Sequence, residues 1–155
     1  MNDSLALLQH LEYERVHVSM AVGVTMKGRW YKPRDPASPS SYNLFQSCTN
    51  FSGSQDVIPA SVCAGGNQYS VMARNYHFDQ TLLGGFTHDP NSQRVLVFDS
   101  KRGIALKFCD GKQYYLVLTY GVAAYDIEYD VSPDACPLLS IYGPYSRVNT
   151  LTNLR

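Results

Sequence analysis

Tyrosines are concentrated in the C-terminal third of this chain. Seven of the twelve tyrosines fall between Tyr114 and Tyr145, in a stretch whose pattern is typical of strands and loops. A tyrosine buries its ring and keeps its hydroxyl in water, so it suits a boundary with a half-apolar ligand such as a lipid headgroup or a sugar. Tyrosine is also a common strand residue, and half-exposed rings on a sheet are ordinary. The group as a whole favours a binding surface, whose expected ligand-binding residues are Tyr114, Tyr115, Tyr125 and Tyr129.

Two cations precede these tyrosines. Lys101 and Arg102 precede Gly103, and this stretch is predicted to be a small basic turn between strands. Such a turn could bind a phosphate, and tyrosine rings can hold a quaternary ammonium by cation–π attraction. We therefore add Lys101 and Arg102 to the candidate ligand site, although a charged turn between strands explains them at least as well.

The sequence contains no recognised motif for catalysis or metal binding. Its histidines are scattered, no CxxC pair occurs, and no serine sits in a GxSxG elbow. Asp126, Glu128 and Asp130 alternate along a predicted strand and could together receive calcium, but a solvated strand face is the favoured interpretation. We therefore expect that the protein is not an enzyme and that it binds neither a metal ion nor a cofactor. The cysteines are Cys48, Cys63, Cys109 and Cys136. They permit three patterns of disulfide pairing or no disulfide at all.

Charge and composition exclude several classes of partner. Thirteen basic and thirteen acidic residues cancel at pH 7, and charged residues make up 17% of the chain. A neutral chain lacks the positive charge that attracts nucleic acid or a strongly anionic membrane, so we expect neither as a partner.

The apolar fraction of 45% excludes disorder. The 155 residues suffice for one domain that buries roughly 70% of its unfolded surface.

The sequence pattern gives a limited indication of location. No apolar run approaches the roughly 18 to 20 residues that a spanning helix requires. The first residues, Met1 to Glu14, carry Asp3 and Glu12 and lack a basic start, so we expect no signal peptide there. The composition is typical of extracellular β-rich domains, and a secreted or membrane-associated location is therefore favoured.

A short amphipathic helix is predicted at the N-terminus. Ser4 can cap a helix that runs from Leu5 to about Tyr13. Its apolar stripe consists of Leu5, Leu7, Leu8 and Leu11. The β-branched alternating run from Val16 to Val24 then predicts a long first strand. We accordingly expect one domain, with a helical segment at 1–14 and a sandwich over 15–155.

Short strands separated by turns fill the remainder of the predicted pattern. Leu82 to Thr87 and Arg94 to Asp99 flank a hairpin tip rich in turn residues. Gly103 to Phe108 and Tyr114 to Tyr120 flank Asp110-Gly111, which is the strongest hairpin signal in the chain. Eight or more such strands without βαβ alternation predict an all-β fold, an antiparallel β-sandwich with a short N-terminal helix.

Several stretches of the chain resemble, in order, parts of one known family. The matching stretches are Ala21 to Val24, Val57 to Gly65, Leu82 to Thr87 with Arg94 to Phe98, and Tyr125 and Tyr129 before Val131-Ser132-Pro133. In this order they resemble the actinoporins, the sphingomyelin-binding pore-forming toxins of sea anemones. The resemblance covers about Leu5 to Pro133.

The resemblance implies a β-sandwich with a detachable N-terminal helix, a fold shared with the fruit-body lectins of fungi. It implies that Tyr125 and Tyr129 receive phosphocholine and that the leucine stripe of the helix faces the membrane. The expected function is thus binding of a sphingomyelin-type headgroup by a cytolysin that is monomeric in solution and oligomerises on a membrane.

Two alternatives stay open. A carbohydrate-binding lectin would use the same tyrosine surface. A viral or structural β-sandwich module, for adhesion or a capsid, would place the tyrosines in a subunit interface.

Overall fold

Helices and strands are mixed along the chain in the computed structural model, which describes residues 2–16, 19–49, 55–66, 71–114, 119–132 and 135–153. In chain order the helices are α1 (Asn2–Tyr13), α2 (Val71–Arg74), α3 (Lys101–Tyr114) and α4 (Val148–Thr152). The strands are β1 (Ala21–Thr25), β2 (Gly28–Pro33), β3 (Cys48–Thr49), β4 (Asp56–Val57), β5 (His77–Asp79), β6 (Gly84–Asp89), β7 (Arg94–Phe98), β8 (Gly121–Tyr125), β9 (Ala135–Cys136) and β10 (Ile141–Tyr142). Short 3₁₀ helices occupy Pro39–Tyr42, Pro59–Gly66, Ile127–Asp130 and Pro137–Leu139. The predicted all-β sandwich is therefore wrong, because the fold is a mixture of helix and sheet.

An antiparallel sheet lies at the centre of the described structure. Its strands follow the order β3-β2-β7-β6-β5, and β4 also pairs with β2. The β6–β7 hairpin was predicted from sequence and is confirmed by the register that joins Gly85 to Phe98 and Asp89 to Arg94. The Asp89 carboxylate accepts hydrogen bonds from the backbone N–H of Asn91 at 2.9 Å, as expected of an aspartate at a turn.

The two faces of this sheet pack against different parts of the chain. One face places Leu96 and Phe98 in a core with the 3₁₀ helix Pro59–Gly66 and α2. A disulfide between Cys63 and Cys136 closes this core. The other face carries Phe86 and Val95, which pack with the buried ring of Tyr42. The segment that contains Tyr42 thus covers the second face.

A parallel pair of strands, β1 and β8, forms a separate sheet. Ala21 lies opposite Gly121 and Thr25 lies opposite Tyr125. Parallel strands cannot be joined by a tight turn, and here most of the chain lies between them. The predicted long strand from Val16 is shorter in the structure, since β1 begins at Ala21. The alternation predicted through Val131 ends at Tyr125, because Asp126 adopts a left-handed conformation with φ 56°.

Helix α3 replaces the hairpin that Asp110-Gly111 predicted. Ile104, Phe108 and Gly111 recur at helical spacing and are all buried. At the start of the helix, the Ser100 hydroxyl accepts a hydrogen bond from the backbone N–H of Gly103 at 3.2 Å. Burial of this helical face outweighs the local turn preference of the Asp-Gly pair.

Helix α1 was predicted and is present, but its leucines do not form one free stripe. Leu5 is fully buried and packs with Val22 of β1, and Leu8 packs against the same cluster. Leu11 is half-buried, whereas Leu7 is 57% exposed. The helix is therefore docked on the parallel pair through Leu5 and Leu8. Among the described helices, none is long and apolar enough to cross a membrane.

A buried ion pair joins the C-terminal helix to the rest of the fold. Arg147 and Asp130 are almost completely buried, and the Arg147 Nε donates to an Asp130 carboxylate oxygen at 2.8 Å. The guanidinium also donates to the backbone oxygens of Met26, Tyr129 and Asp99, at 2.5, 3.0 and 3.2 Å. The three carboxylates predicted to share a solvated strand face therefore do not share one, because Asp130 is inside.

Candidate functional site

A groove with a volume of about 620 Å³ opens on the face of the antiparallel sheet that Tyr42 covers. It is lined by side chains of β2 and β7, by Gly84 at the start of β6, by the segment 41–48 and by Lys107 of α3. This volume lies within the roughly 300 to 1,000 Å³ that is typical of ligand sites. The sheet positions one wall of the groove and the segment 41–48 positions the other.

One side of the groove is apolar. Val95, Val97 and Tyr31 project from neighbouring strands, and Leu44 packs with them. Tyr42 packs against Val95 on the same face of the sheet, and its hydroxyl donates to the backbone oxygen of Pro36 at 3.0 Å. These contacts hold the segment 41–48 against the sheet beside the apolar wall.

Polar groups line the rest of the groove. Arg29 is exposed, and its Nε donates to the Gln55 side chain at 3.1 Å. Asn43 and Gln46 are exposed lining residues of the segment 41–48. The Lys107 Nζ lies 2.5 Å from a carboxylate oxygen of Asp99. Donors and acceptors are thus available next to the apolar side chains of the groove.

The groove reaches the carboxyl end of β1, the strand that pairs with β8. Thr25 and Lys27 line it, and the Thr25 hydroxyl donates to the Asp126 carboxylate at 2.6 Å. The Lys27 Nζ lies 3.0 Å from Asp56 and 3.7 Å from Asp126. The hydrogen bond to Asp56, followed by the charge of Asp126, raises the pKa of Lys27 above its ordinary value, against an opposing effect of burial. Lys27 is consequently a positive charge held between two carboxylates.

Tyr125 does not line the groove, but it presents an aromatic surface next to this end of it, opposite Thr25 in the strand pair. Its side chain is 61% exposed. The ring lies over Gly23, where a Cβ atom would come within 2.9 Å of the Tyr125 ring. Gly23 and Thr25 share the exposed face of β1, so the tyrosine ring lies beside the groove residue Thr25. A glycine at position 23 is required for the ring to lie against the strand.

A second cavity of about 620 Å³ lies at the opposite ends of these strands, next to Met20 and Gly121. In open α/β sheets, ligands bind outside the carboxyl ends of parallel strands. The two cavities have equal volume, so this rule and the richer mixture of apolar and polar groups favour the groove as the functional site. Within the described ranges, no cluster of His, Cys, Asp and Glu side chains could hold a metal ion.

The tyrosines predicted from sequence have different positions in the fold. Tyr125 is exposed at the end of β8, whereas Tyr129 is half-buried in the 3₁₀ helix Ile127–Asp130 and its backbone oxygen accepts from Arg147. Tyr114 ends α3, and its side chain, together with all of Tyr115, lies outside the described residues.

The two predicted cations are in the first turn of α3 and contact other rings. The Lys101 Nζ lies 5.6 Å from the centre of the Tyr142 ring. The Arg102 guanidinium lies 4.6 Å from the centre of the Phe78 ring. The described contacts do not bring either cation to Tyr125 or Tyr129.

Sequence reasoning missed the segment 41–48. No residue of this segment was named as a candidate from the sequence, whereas its side chains form one wall of the groove. Phe45 lies in this wall, 86% exposed and with φ 64°. An aromatic residue in a loop rich in serine and proline was the available signal.

No family model matches the sequence, and no curated protein matches it at a significant level. Solved structures that are similar to this chain are chitinases and chitinase-like proteins. The predicted actinoporin relationship, with its cytolytic and pore-forming function, is therefore wrong.

Three neighbours illustrate the similarity. A chitinase-like agglutinin from Robinia pseudoacacia has a TM-score of 0.60 and 19% identity, over 95% of this chain and 35% of its own. The Group IV chitinase of Ostrinia furnacalis has a TM-score of 0.64 and 18% identity, over 86% of this chain and 34% of its own. A mutant class V chitinase from Cycas revoluta, solved in complex with (GlcNAc)3, has a TM-score of 0.55 and 12% identity, over 86% of this chain and 33% of its own.

At sequence identities this low, the TM-scores show that the folds are similar, and they do not show a shared function. The chain spans about a third of the length of these neighbours. The fold of the described residues is therefore like that of part of a chitinase or chitinase-like protein.

Proposed function

We propose that the groove, together with Tyr125, binds an oligosaccharide of β-linked N-acetylglucosamine. The observation that carries this proposal is a groove that combines apolar and polar side chains, next to which the exposed ring of Tyr125 lies on the strand paired with β1. A pyranose has an apolar C–H face and a rim of hydroxyls, so it requires both kinds of surface. The acetamido group adds a methyl for the apolar wall and an amide for the polar side.

The similar structures support a carbohydrate ligand. One neighbour is an agglutinin with a chitinase-like fold, and another was solved with (GlcNAc)3. This similarity favours the lectin alternative of the sequence analysis over binding of a lipid headgroup. The zero formal net charge of the chain agrees with an uncharged ligand.

We further propose that the described residues bind the sugar without cleaving it. Hydrolysis of such a sugar needs at least one carboxyl group that can donate a proton to the leaving oxygen, even where the sugar's own N-acetyl group replaces the second carboxylate. Among the described lining residues of the groove, Asp99 is the sole carboxylate, and it is paired with Lys107. A carboxylate that is held in an ion pair by a lysine is not placed to act as this proton donor.

Titration calorimetry with (GlcNAc)4 tests the proposal. We expect the protein to bind this oligosaccharide, and we expect Tyr125→Ala to weaken binding about tenfold through loss of aromatic contact with the sugar. Tyr142→Ala is the matched control, since Tyr142 is equally exposed, at 60%, but contacts Lys101 outside the groove.

Two outcomes would contradict the proposal. The first is an absence of (GlcNAc)4 binding by the unaltered protein, and the second is an equal loss of affinity in both tyrosine variants. Mass spectrometry of the recovered sugar checks the second part of the proposal, because shorter oligomers would reveal hydrolysis.

A further inference from the structure

Phe45 combines two features that are unfavourable in a residue with a purely structural role. Its side chain is 86% exposed, so its ring gains little from burial. Its φ of 64° lies in the left-handed region, where a bulky residue is an outlier. Glycine would adopt this backbone conformation without steric cost.

Other apolar residues with positive φ differ from Phe45. Leu83 is half-buried, and its backbone oxygen lies against Gly103 of α3. Tyr145 is 45% exposed, and its backbone N–H donates to the Asp130 oxygen beside the buried ion pair. Both serve contacts inside the fold, whereas the Phe45 ring faces the groove and solvent.

The segment that carries Phe45 is anchored on both sides. Before it, the buried ring of Tyr42 stacks on His88, with ring centres 5.0 Å apart. After it, the Ser47 backbone oxygen accepts from the N–H of Arg34 at 2.9 Å. The backbone is thus fixed at both ends, and the ring is presented at the lip of the groove rather than at the tip of a free loop.

We propose that Phe45 is the platform on which a pyranose ring stacks, and that it selects sugars whose ring substituents are all equatorial. This inference rests on the proposed carbohydrate-binding function. A flat aromatic ring needs a flat patch of C–H groups. Sugars of the glucose and N-acetylglucosamine type present such a patch, whereas the axial hydroxyl of mannose interrupts one face.

The chemistry of the side chain agrees with this assignment. Phenylalanine has no hydrogen-bonding group, so it contributes stacking alone. The hydroxyl and acetamido groups of the sugar are left to Asn43 and Gln46, the exposed amides on either side of Phe45.

The test compares Phe45→Gly and Phe45→Trp with the unaltered protein. Phe45→Gly relieves the backbone strain, so we expect its Tm to rise by about 3 °C while its affinity for (GlcNAc)4 falls about tenfold. Phe45→Trp keeps a platform, so we expect it to keep the affinity. Tyr13→Ala is the matched control, because Tyr13 is 82% exposed on α1 and distant in sequence from the groove segment.

A second measurement tests whether Phe45 selects sugars whose ring substituents are all equatorial. We expect the unaltered protein to prefer (GlcNAc)4 to β-1,4-mannotetraose, and we expect Phe45→Gly to reduce this preference. The proposal is overturned if Phe45→Gly binds (GlcNAc)4 as the unaltered protein does, or if its Tm falls together with its affinity. Absence of (GlcNAc)4 binding by the unaltered protein would instead overturn the proposed function itself.

Discussion

At the scale of single residues, His88 lies beside the groove segment, and its partial burial favours the uncharged form of its ring. His88 stacks on Tyr42 at 5.0 Å and lies parallel to His77 at 6.5 Å. Its Nδ1 is buried and has no hydrogen-bond partner within the part of the chain that the structure describes. Burial and then the charge of His77 lower the pKa of His88 below 6.5, with an opposing effect of Asp89. The neutral form therefore suits the folded protein.

This lowered pKa makes stability depend on pH. The unfolded chain binds a proton on His88 below about pH 6.5, whereas the folded chain binds it only at lower pH. The contribution to the free energy of unfolding is thus complete above about pH 6.5 and is lost as the pH falls through the lowered pKa. We expect His88→Phe to keep the stack and to flatten this dependence in urea unfolding between pH 7 and pH 5. The exposed His10, changed to Gln, is the control, and an unaltered slope in His88→Phe would contradict the prediction.

At the scale of secondary-structure elements, the structure assigns the disulfide pairing that the spacing of the cysteines in the sequence left undetermined. Cys63 belongs to the 3₁₀ helix Pro59–Gly66 and Cys136 to β9, and both are buried. Cys48 and Cys109 are free and exposed. The bond joins elements 73 residues apart, so it constrains a long loop of the unfolded chain.

Removal of this bond should therefore be costly. For a loop of this length, the chain-entropy relation gives a loss of about 4 kcal/mol in the free energy of unfolding for Cys63→Ser. Cys48→Ser should change stability little, because Cys48 is unpaired and exposed. Urea unfolding without reductant measures both variants, and similar midpoints for the two would contradict the assigned pairing.

At the scale of the whole molecule, Arg147 connects regions that are far apart in sequence. It pairs with Asp130 and binds backbone oxygens after β1 and before α3. A second oxygen of Asp130 accepts from the backbone N–H groups of Arg147 and Val148 at 2.9 and 3.0 Å, which satisfies the start of α4. The ion pair thus holds the parallel pair, α3 and α4 in one arrangement.

Replacement of the arginine leaves a buried carboxylate without its charge partner. We expect Arg147→Met to lower the free energy of unfolding by about 3 to 5 kcal/mol. Arg15→Met, at an exposed arginine, is the control and should have little effect. Chemical denaturation followed by circular dichroism measures both, and a loss below about 1 kcal/mol for Arg147→Met would show that the pair does not hold the fold together.

The sequence by itself determined the features that depend on near neighbours. The periodic leucines predicted α1, although the helix begins at Asn2 and Ser4 lies inside it rather than capping it. The turn residues from Asp89 to Ser92 predicted the β6–β7 hairpin. Both depend on side chains and backbone groups within a few positions of each other, so a linear pattern records them.

Tertiary structure alone decided the parallel β1–β8 pair, the helix in place of the Asp110-Gly111 hairpin and the groove wall at segment 41–48. Each depends on contacts between residues that are distant in the chain. Ile104 and Phe108 gain more from burial against β1 than Asp-Gly gains from a turn, and Thr25 meets Tyr125 only because the folded chain brings the two strands together. Long-range burial and pairing leave no local signature, which is why a β-sandwich was predicted and a mixed chitinase-like fold is found.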